Sequence, residues 1–192
     1  MNETKIWISS DHHFDHKNIL KYQAHTRPYS DVQEMNEGII RQHNALVEPN
    51  DEVYFLGDFA FTGDTDKVCT WLDRMNGKKH FVFGNHDKIM RNDEIRKRFV
   101  WMKDYHELKI PGRKKMPAIV MSHYPFYSWN RMHHGALHFY GHTHGAVPTM
   151  MSGRGRDIGL DTNNCYPLNV ASLIKSMTKL PTVDARNRES DR

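Results

Sequence analysis

Cysteine is nearly absent from this chain. Cys69 and Cys165 are the only two among 192 residues, and no CxxC or Cys/His pairing occurs. That excludes a zinc ribbon and a disulfide framework, and leaves two small hydrophobes suited to burial. Long apolar runs are missing as well. The first starts at Ile6 and lasts only a few residues, far short of the ~20 needed to cross a bilayer. No signal peptide or membrane span can be drawn, so the expectation is a cytoplasmic protein with no membrane partner. Charge of one sign is lacking too: 27 basic against 23 acidic residues give a formal +4. This permits an anionic ligand but lacks the dense basic stripe of a dedicated nucleic-acid binder. Without repeats, low-complexity tracts or a clear linker, residues 1–184 read as one domain. Residues 185–192 (ARNRESDR) read as a polar, frayed tail.

Histidine, by contrast, is abundant, with 14 residues. Several stand where short apolar runs end. Residues 5–10 (KIWISS) lead into Asp11-His12-His13, and residues 53–56 (VYFL) into Gly57-Asp58. Residues 80–83 (HFVF) lead into Gly84-Asn85-His86-Asp87, residues 118–121 (AIVM) into Ser122-His123, and residues 137–140 (LHFY) into Gly141-His142-Thr143-His144. In α/β sheets the loops leaving the carboxyl ends of strands meet in one crevice. Five such ends therefore predict one polar site built from distant parts of the chain.

Helical patterns alternate with these runs. Ser30 and Asp31 are plausible N-caps for a helix over Val32–Leu46, in which Met35, Ile39, Ile40, His43 and Leu46 approach helical spacing. A second helix starts at Gly63-Asp64-Thr65-Asp66, runs through Val68, Trp71, Leu72 and Met75, and stops at Asn76-Gly77. A basic helix is expected over 88–98, a strand over 101–110, a turn at Arg113-Lys114-Lys115 and a returning strand over 117–121. Residues 126–137 read as a loop, 156–160 as a strand and Val170–Met177 as a last helix.

Ligands drawn only from Asp, Asn and His suit hard-to-borderline divalent ions. Seven exceed what one open site needs, and fit two metals sharing a carboxylate about 3.5–4 Å apart. The segments Asp11-x-His13, Gly57-Asp58, Gly84-Asn85-His86-Asp87, His123 and Gly141-His142-x-His144 occur in one order along the chain. They resemble the five blocks of the calcineurin-like metallophosphoesterases, over residues 5 to about 165. The resemblance implies an α/β fold, a four-layer αββα sandwich of two mixed β-sheets flanked by helices. It implies Asp11, His13 and His144 on one ion, Asn85, His123 and His142 on a second, and Asp58 bridging both. Manganese fits best, with Fe, Zn, Co, Ni or Mg also accepted. A metal-bridging hydroxide would attack phosphorus, with His86 as the catalytic histidine. Asp87 would orient His86, or else cap the following helix.

Residues 11–20 (DHHFDHKNIL) also resemble a small bacterial and phage branch of that family, where an element like Arg27-Pro28-Tyr29 follows. Asn18 and Arg27 are thus candidate substrate contacts, though Arg27 could equally be a solvated loop charge. Trp129 and Arg131 could stack a nucleobase or simply pack, and His12 and His16 read as supporting residues. The protein phosphatases of the family carry an arginine after their Gly-Asp block. Here Phe59-Ala60-Phe61 follows, which reads as an apolar wall. With no room for a large capping domain, the expected substrate is a small phosphoester, a nucleotide or a phosphodiester. A nuclease acting on single strands and a non-catalytic scaffold are the alternatives.

Overall fold

The computed structural model describes residues 4–110, 117–146 and 153–182. The first sheet contains β1 (Ile6–Ser9), β2 (Glu52–Phe55), β3 (Lys78–Val82), β4 (Phe99–Lys103) and the short β9 (Leu168–Asn169). Their order is β4-β3-β2-β1-β9, with β1 to β4 parallel and β9 antiparallel to β1. The second sheet has the order β5-β6-β7-β8, from β5 (His106–Leu108), β6 (Ile119–Met121), β7 (Leu137–Tyr140) and β8 (Gly155–Asp157). Here β6, β7 and β8 are parallel and β5 runs against β6.

Strand alternation explains why the runs read as continuously apolar. Trp7, Val53, Phe55 and Phe81 point into one core with the helices, while Ile8, Tyr54, Leu56 and Val82 join a second core. A strand buried on both faces needs apolar side chains at every position. The second core also holds Ile119, Met121, Leu137 and Phe139, so the two sheets stack face to face. On the outer face of the first sheet lie α2 (Val32–Leu46) and α3 (Thr65–Arg74), after the one-turn α1 (Ile19–Tyr22). Both longer helices start where the sequence predicts. Asp31 accepts from the Glu34 N–H and Asp64 from the Lys67 N–H, each filling an orphan first-turn donor.

Four expectations change. Residues 88–98 do not form one helix. A 3-10 turn (Ile89–Arg91) and the single turn α4 (Asp93–Arg96) meet at Asn92, whose side chain caps the second by accepting from the Glu94 N–H. Residues 101–110 do not form one strand either: β4 stays with β3, and after Asp104-Tyr105 the chain crosses to pair β5 with β6. The strand expected over 156–160 ends at Asp157, and a 3-10 turn (Leu160–Thr162) follows. Finally, the outer face of the second sheet carries no α-helix among the described residues, only the 3-10 turn Met132–His134. Val120 there packs with Trp129, Met132 and Ala136 of the following loop. The last helix, α5 (Val170–Met177), instead completes the core between the sheets. The Arg113-Lys114-Lys115 turn and the 185–192 tail lie outside the described residues.

Candidate metal centre

The loops after β1, β2, β3, β6 and β7 converge, and backbone hydrogen bonds join them. Asp11 N–H donates to Gly57 O at 3.0 Å and His13 N–H to Asp58 O at 3.0 Å, which ties the first loop to the second. His142 N–H donates to the Asp11 carboxylate at 3.0 Å, tying in the fifth. His86 N–H donates to Asp58 Oδ1 at 2.9 Å, adding the third. Glycine makes this closeness possible: a Cβ on Gly141 would collide with Ser10 Oγ and Asp11 Oδ2. Asp11, His13, Asp58, His142 and His144 all adopt positive φ, between 47° and 69°. Non-glycine residues in that region cost about 1 kcal/mol or more each, and such strain collects at functional sites.

Two groups of donors result. Ligand atoms of Asp11, His13 and His144 lie within 4.8 Å of one another, as do those of Asp58, His123 and His142. Asp58 Oδ2 sits between the groups, 3.8 Å from His13 Nε2 and 3.5 Å from His123 Nε2. Asn85 Oδ1 approaches His123 Nε2 to 3.0 Å, which adds it to the second group. All seven predicted ligands thus meet in one place.

Three of the histidines have their far nitrogen engaged, which fixes which nitrogen faces the cluster. His123 Nδ1–H donates to Leu56 O at 2.8 Å, His144 Nδ1 pairs with Asp161 Oδ2 at 2.6 Å, and His13 Nδ1 meets His16 Nδ1 at 3.3 Å. His13 Nε2 is buried with no hydrogen-bond partner. An orphaned imidazole nitrogen facing two carboxylates is what a cation would satisfy.

The electrostatics agree. Burial pushes the Asp11 carboxyl up to about 7 against the pull of His144 and His123. Burial also opposes charge on Asp58, but the His123 bond and charge outweigh it and hold that carboxyl at about 2. His123 in turn is raised to about 9: burial disfavours its cation, and the bond and charge of Asp58 outweigh this. His13 is held far below the ordinary histidine range by burial and then by Arg27. A neutral imidazole and two buried carboxylates make a favourable cation cradle.

Several predicted roles are corrected. Asp87 has no bond to the His86 ring. Its buried carboxylate accepts from the backbone N–H groups of Gly84, Asp58 and Phe59 at 2.6, 2.8 and 2.9 Å, so it locks the second and third loops together. His86 is exposed beside Phe61, at a ring separation of 4.5 Å. Arg27 is not a substrate contact, because its side chain is 0 % exposed. It forms a two-pronged pair with Asp161 at 2.8 and 2.9 Å and donates to the carbonyls of His12 and Asp11 at 2.8 and 2.5 Å. Trp129 is buried, with Nε1 donating to Ala136 O, and packs rather than stacks on a ligand. Arg131 is exposed in the same loop, with φ 59°. Asn18 is exposed and precedes α1 without a side-chain capping bond. Phe59 is core, which leaves Phe61 as the exposed half of the apolar wall.

No protein-family model matches the chain. A 90-residue stretch is 44% identical to the uncharacterized protein MJ1445 of Methanocaldococcus jannaschii, covering 46% of this chain and 50% of that one. The match thus spans half the length of that relative. The gene 66 protein of Mycobacterium phage D29 is 25% identical over 183 residues, 82% of this chain and 88% of its own length. Among solved structures, AQ665 of Aquifex aeolicus, a protein of unknown function, superposes with a TM-score of 0.70 at 22% identity. That comparison covers 91% of this chain and 100% of the other. The likeness extends to the fold alone.

Sequence reading missed Asp161 and Asp157, while His16 stands against His13 in the supporting place expected of it. Asp157 accepts from the Gly145 and Gly159 N–H groups at 2.9 and 2.7 Å and from the Thr143 hydroxyl, which holds the fifth loop. The Thr26-Arg27 pair and Asp161 are distant in sequence, and nothing in their spacing announces the contact.

Proposed function

We propose that this chain is a two-metal phosphoester hydrolase of the calcineurin-like metallophosphoesterase type, acting on a small nucleotide or phosphodiester. The observation that carries this reading is the meeting of seven Asp, Asn and His side chains in two adjacent groups, with Asp58 between them. Asp11, His13 and His144 would hold one ion, Asn85, His123 and His142 the other, and Asp58 both. Mn fits this oxygen and imidazole set, and Fe, Zn, Co, Ni or Mg are chemically admissible. Two such ions, when bound, supply Lewis acidity for the phosphoryl oxygens and a water acid enough to attack phosphorus near neutral pH.

The chain's own groups would do the rest. His86 stands exposed 6.0 Å from the His13 ring, where its imidazole can donate to a phosphoryl oxygen and protonate the leaving oxygen. Asp87 holds the backbone on both sides of the site, and Asp161 and His16 aim His144 and His13. The nuclease alternative draws less support, because three of the four cations of 91–98 are paired with acids: Arg91 with Asp104, Lys97 with Glu94 and Arg98 with Asp73. A scaffold without activity would have no need of the strained, complete ligand set.

Asp58→Ala is expected to abolish hydrolysis of bis(p-nitrophenyl) phosphate and to lower bound metal, measured by plasma emission spectrometry. Near-normal turnover in that variant overturns the two-metal reading. His86→Ala is expected to keep its metal and lose about 100-fold or more in kcat, and unchanged kinetics would remove His86 from the chemistry.

A further inference from the structure

Two exposed aromatic rings flank the candidate centre at its two ends. Phe61, 41% exposed, lies on the side of the first ligand group, with ring separations of 3.9 Å to His16, 4.5 Å to His86 and 5.9 Å to His13. Tyr124, 46% exposed, lies on the side of the second, 5.1 Å from His123 and 4.7 Å from His142. Each ring thus offers an aromatic face to a ligand held at the polar cluster, the kind of surface on which planar rings stack. The backbone of both residues is anchored, and the Phe61 ring also packs on a neighbour. Phe61 N–H donates to Phe14 O at 2.7 Å, and its ring is nearly parallel to that of His16, at 10°. The Tyr124 carbonyl accepts from the Ser122 hydroxyl at 2.7 Å.

Beside Phe61 opens a cleft of about 560 Å³, lined by Thr62, His86, Lys88, Ile89 and Asn92 among others. That volume falls in the range that takes a small organic ligand, and Lys88 is the one cation among the lining residues. A single lysine can meet one further anionic or polar group. It cannot track a long backbone, which needs a row of cations.

We propose that the site is built for a phosphodiester bearing a planar ring system on each side of the phosphorus, of the dinucleotide class. One ring stacks on Phe61 in the cleft beside His86, and the other stacks on Tyr124. This rests on the hydrolase reading above and deepens it: a monoester would leave one aromatic face uncovered, and a long strand would find too few cations. Phe61 and Tyr124 are specificity-determining residues. Phe61 has a second effect, because its ring packs against the exposed His86 imidazole at 4.5 Å.

The test is steady-state kinetics of the Mn-loaded protein on bis(p-nitrophenyl) phosphate and methyl p-nitrophenyl phosphate, with bound metal counted by plasma emission spectrometry. Comparing each substrate across variants cancels the difference in intrinsic reactivity. Phe61→Leu and Tyr124→Leu are each expected to raise KM for the bis-aryl diester about ten-fold, the scale of one lost ring stack. Both should keep their metal, and Phe61→Tyr and Tyr124→Phe should restore KM to within about two-fold. The methyl diester fills one flank, so only one of the two Leu variants should weaken it. KM unchanged in both Leu variants for both substrates overturns the proposal and leaves the hydrolase reading standing. Absence of turnover by the metal-loaded wild type overturns the hydrolase reading itself. The stacking is then read without turnover, by NMR titration with the inert methylphosphonate-linked thymidine dinucleotide. Shifts of the Phe61 and Tyr124 ring signals support the two-ring site, and their absence overturns it.

Discussion

Asp161 shows how one buried carboxylate can serve stability and a metal centre together. It pairs with Arg27 through both oxygens and with His144 through one, and these contacts hold it below the ordinary carboxylate range although burial works the other way. Asp161→Asn keeps an acceptor for His144 but strips the buried guanidinium of its counter-charge. Breaking such a pair costs about 3–5 kcal/mol, and replacing the charged partner of a candidate ligand by a neutral one lowers metal affinity by up to about 10–100-fold. Urea denaturation and a metal titration of the variant measure the two effects separately. Wild-type values in both would remove Asp161 from both roles. The ligands themselves were legible because each follows an apolar run within a few residues. Asp161 and Arg27 were not, since their contact joins positions 134 apart and depends on how β8 turns into the following 3-10 turn.

Elements carry information of a different kind. The span Val32–Leu46 could be read to the residue because capping and periodicity agree there. Asp31 caps, Glu34 reaches back to Ser30, and Met35, Ile39, Ile40 and His43 share the buried face. Asp31→Ala should therefore cost about 1 kcal/mol of unfolding free energy and leave metal content unchanged; a loss of metal would mean that the helix start is coupled to the site. Gly141→Ala is expected to act differently. Its new Cβ would press on Ser10 and Asp11 at the meeting of β1 and β7, so overpacking should cost about 1–3 kcal/mol. The affinity of the first ion should fall with it. The break between β4 and β5 was invisible in the sequence, because a run of alternating residues reads the same whether one sheet or two receive it. Only pairing with β3 on one side and β6 on the other decides the matter.

At the scale of the molecule, packing on the outer faces of the two sheets buries polar rings outside the ligand set, and that ties stability to pH. His43 and His138 are both at 2% exposure or less, and burial holds each imidazole at about 4. Each uses its neutral form: His43 Nε2–H donates to Asn76 O, while His138 Nδ1–H donates to Val120 O and its Nε2 accepts from the Phe126 N–H. Unfolded histidine titrates near 6.5, so between about pH 6.5 and 4 the unfolded chain binds more protons at these two positions. The stability they contribute is full above pH 6.5 and declines as pH falls, by about 1.4 kcal/mol per unit for each ring. Asp11 in the metal-free protein has the opposite sign. Its carboxyl sits at about 7, against an ordinary value of 3.8, so its contribution is full below that value and declines as pH rises through 7. The two effects separate by substitution. In chelator, urea unfolding between pH 5 and 6.5 should show His138→Gln losing about one proton's worth of pH slope relative to wild type, whatever its absolute stability. An unchanged slope would mean that His138 does not titrate on unfolding. Adding Mn at fixed pH should raise the midpoint of wild type far more than that of Asp58→Ala, since ligand binding to the folded state alone stabilises it by mass action. Equal shifts in the two proteins would place the metal somewhere other than between the sheets' shared edge loops.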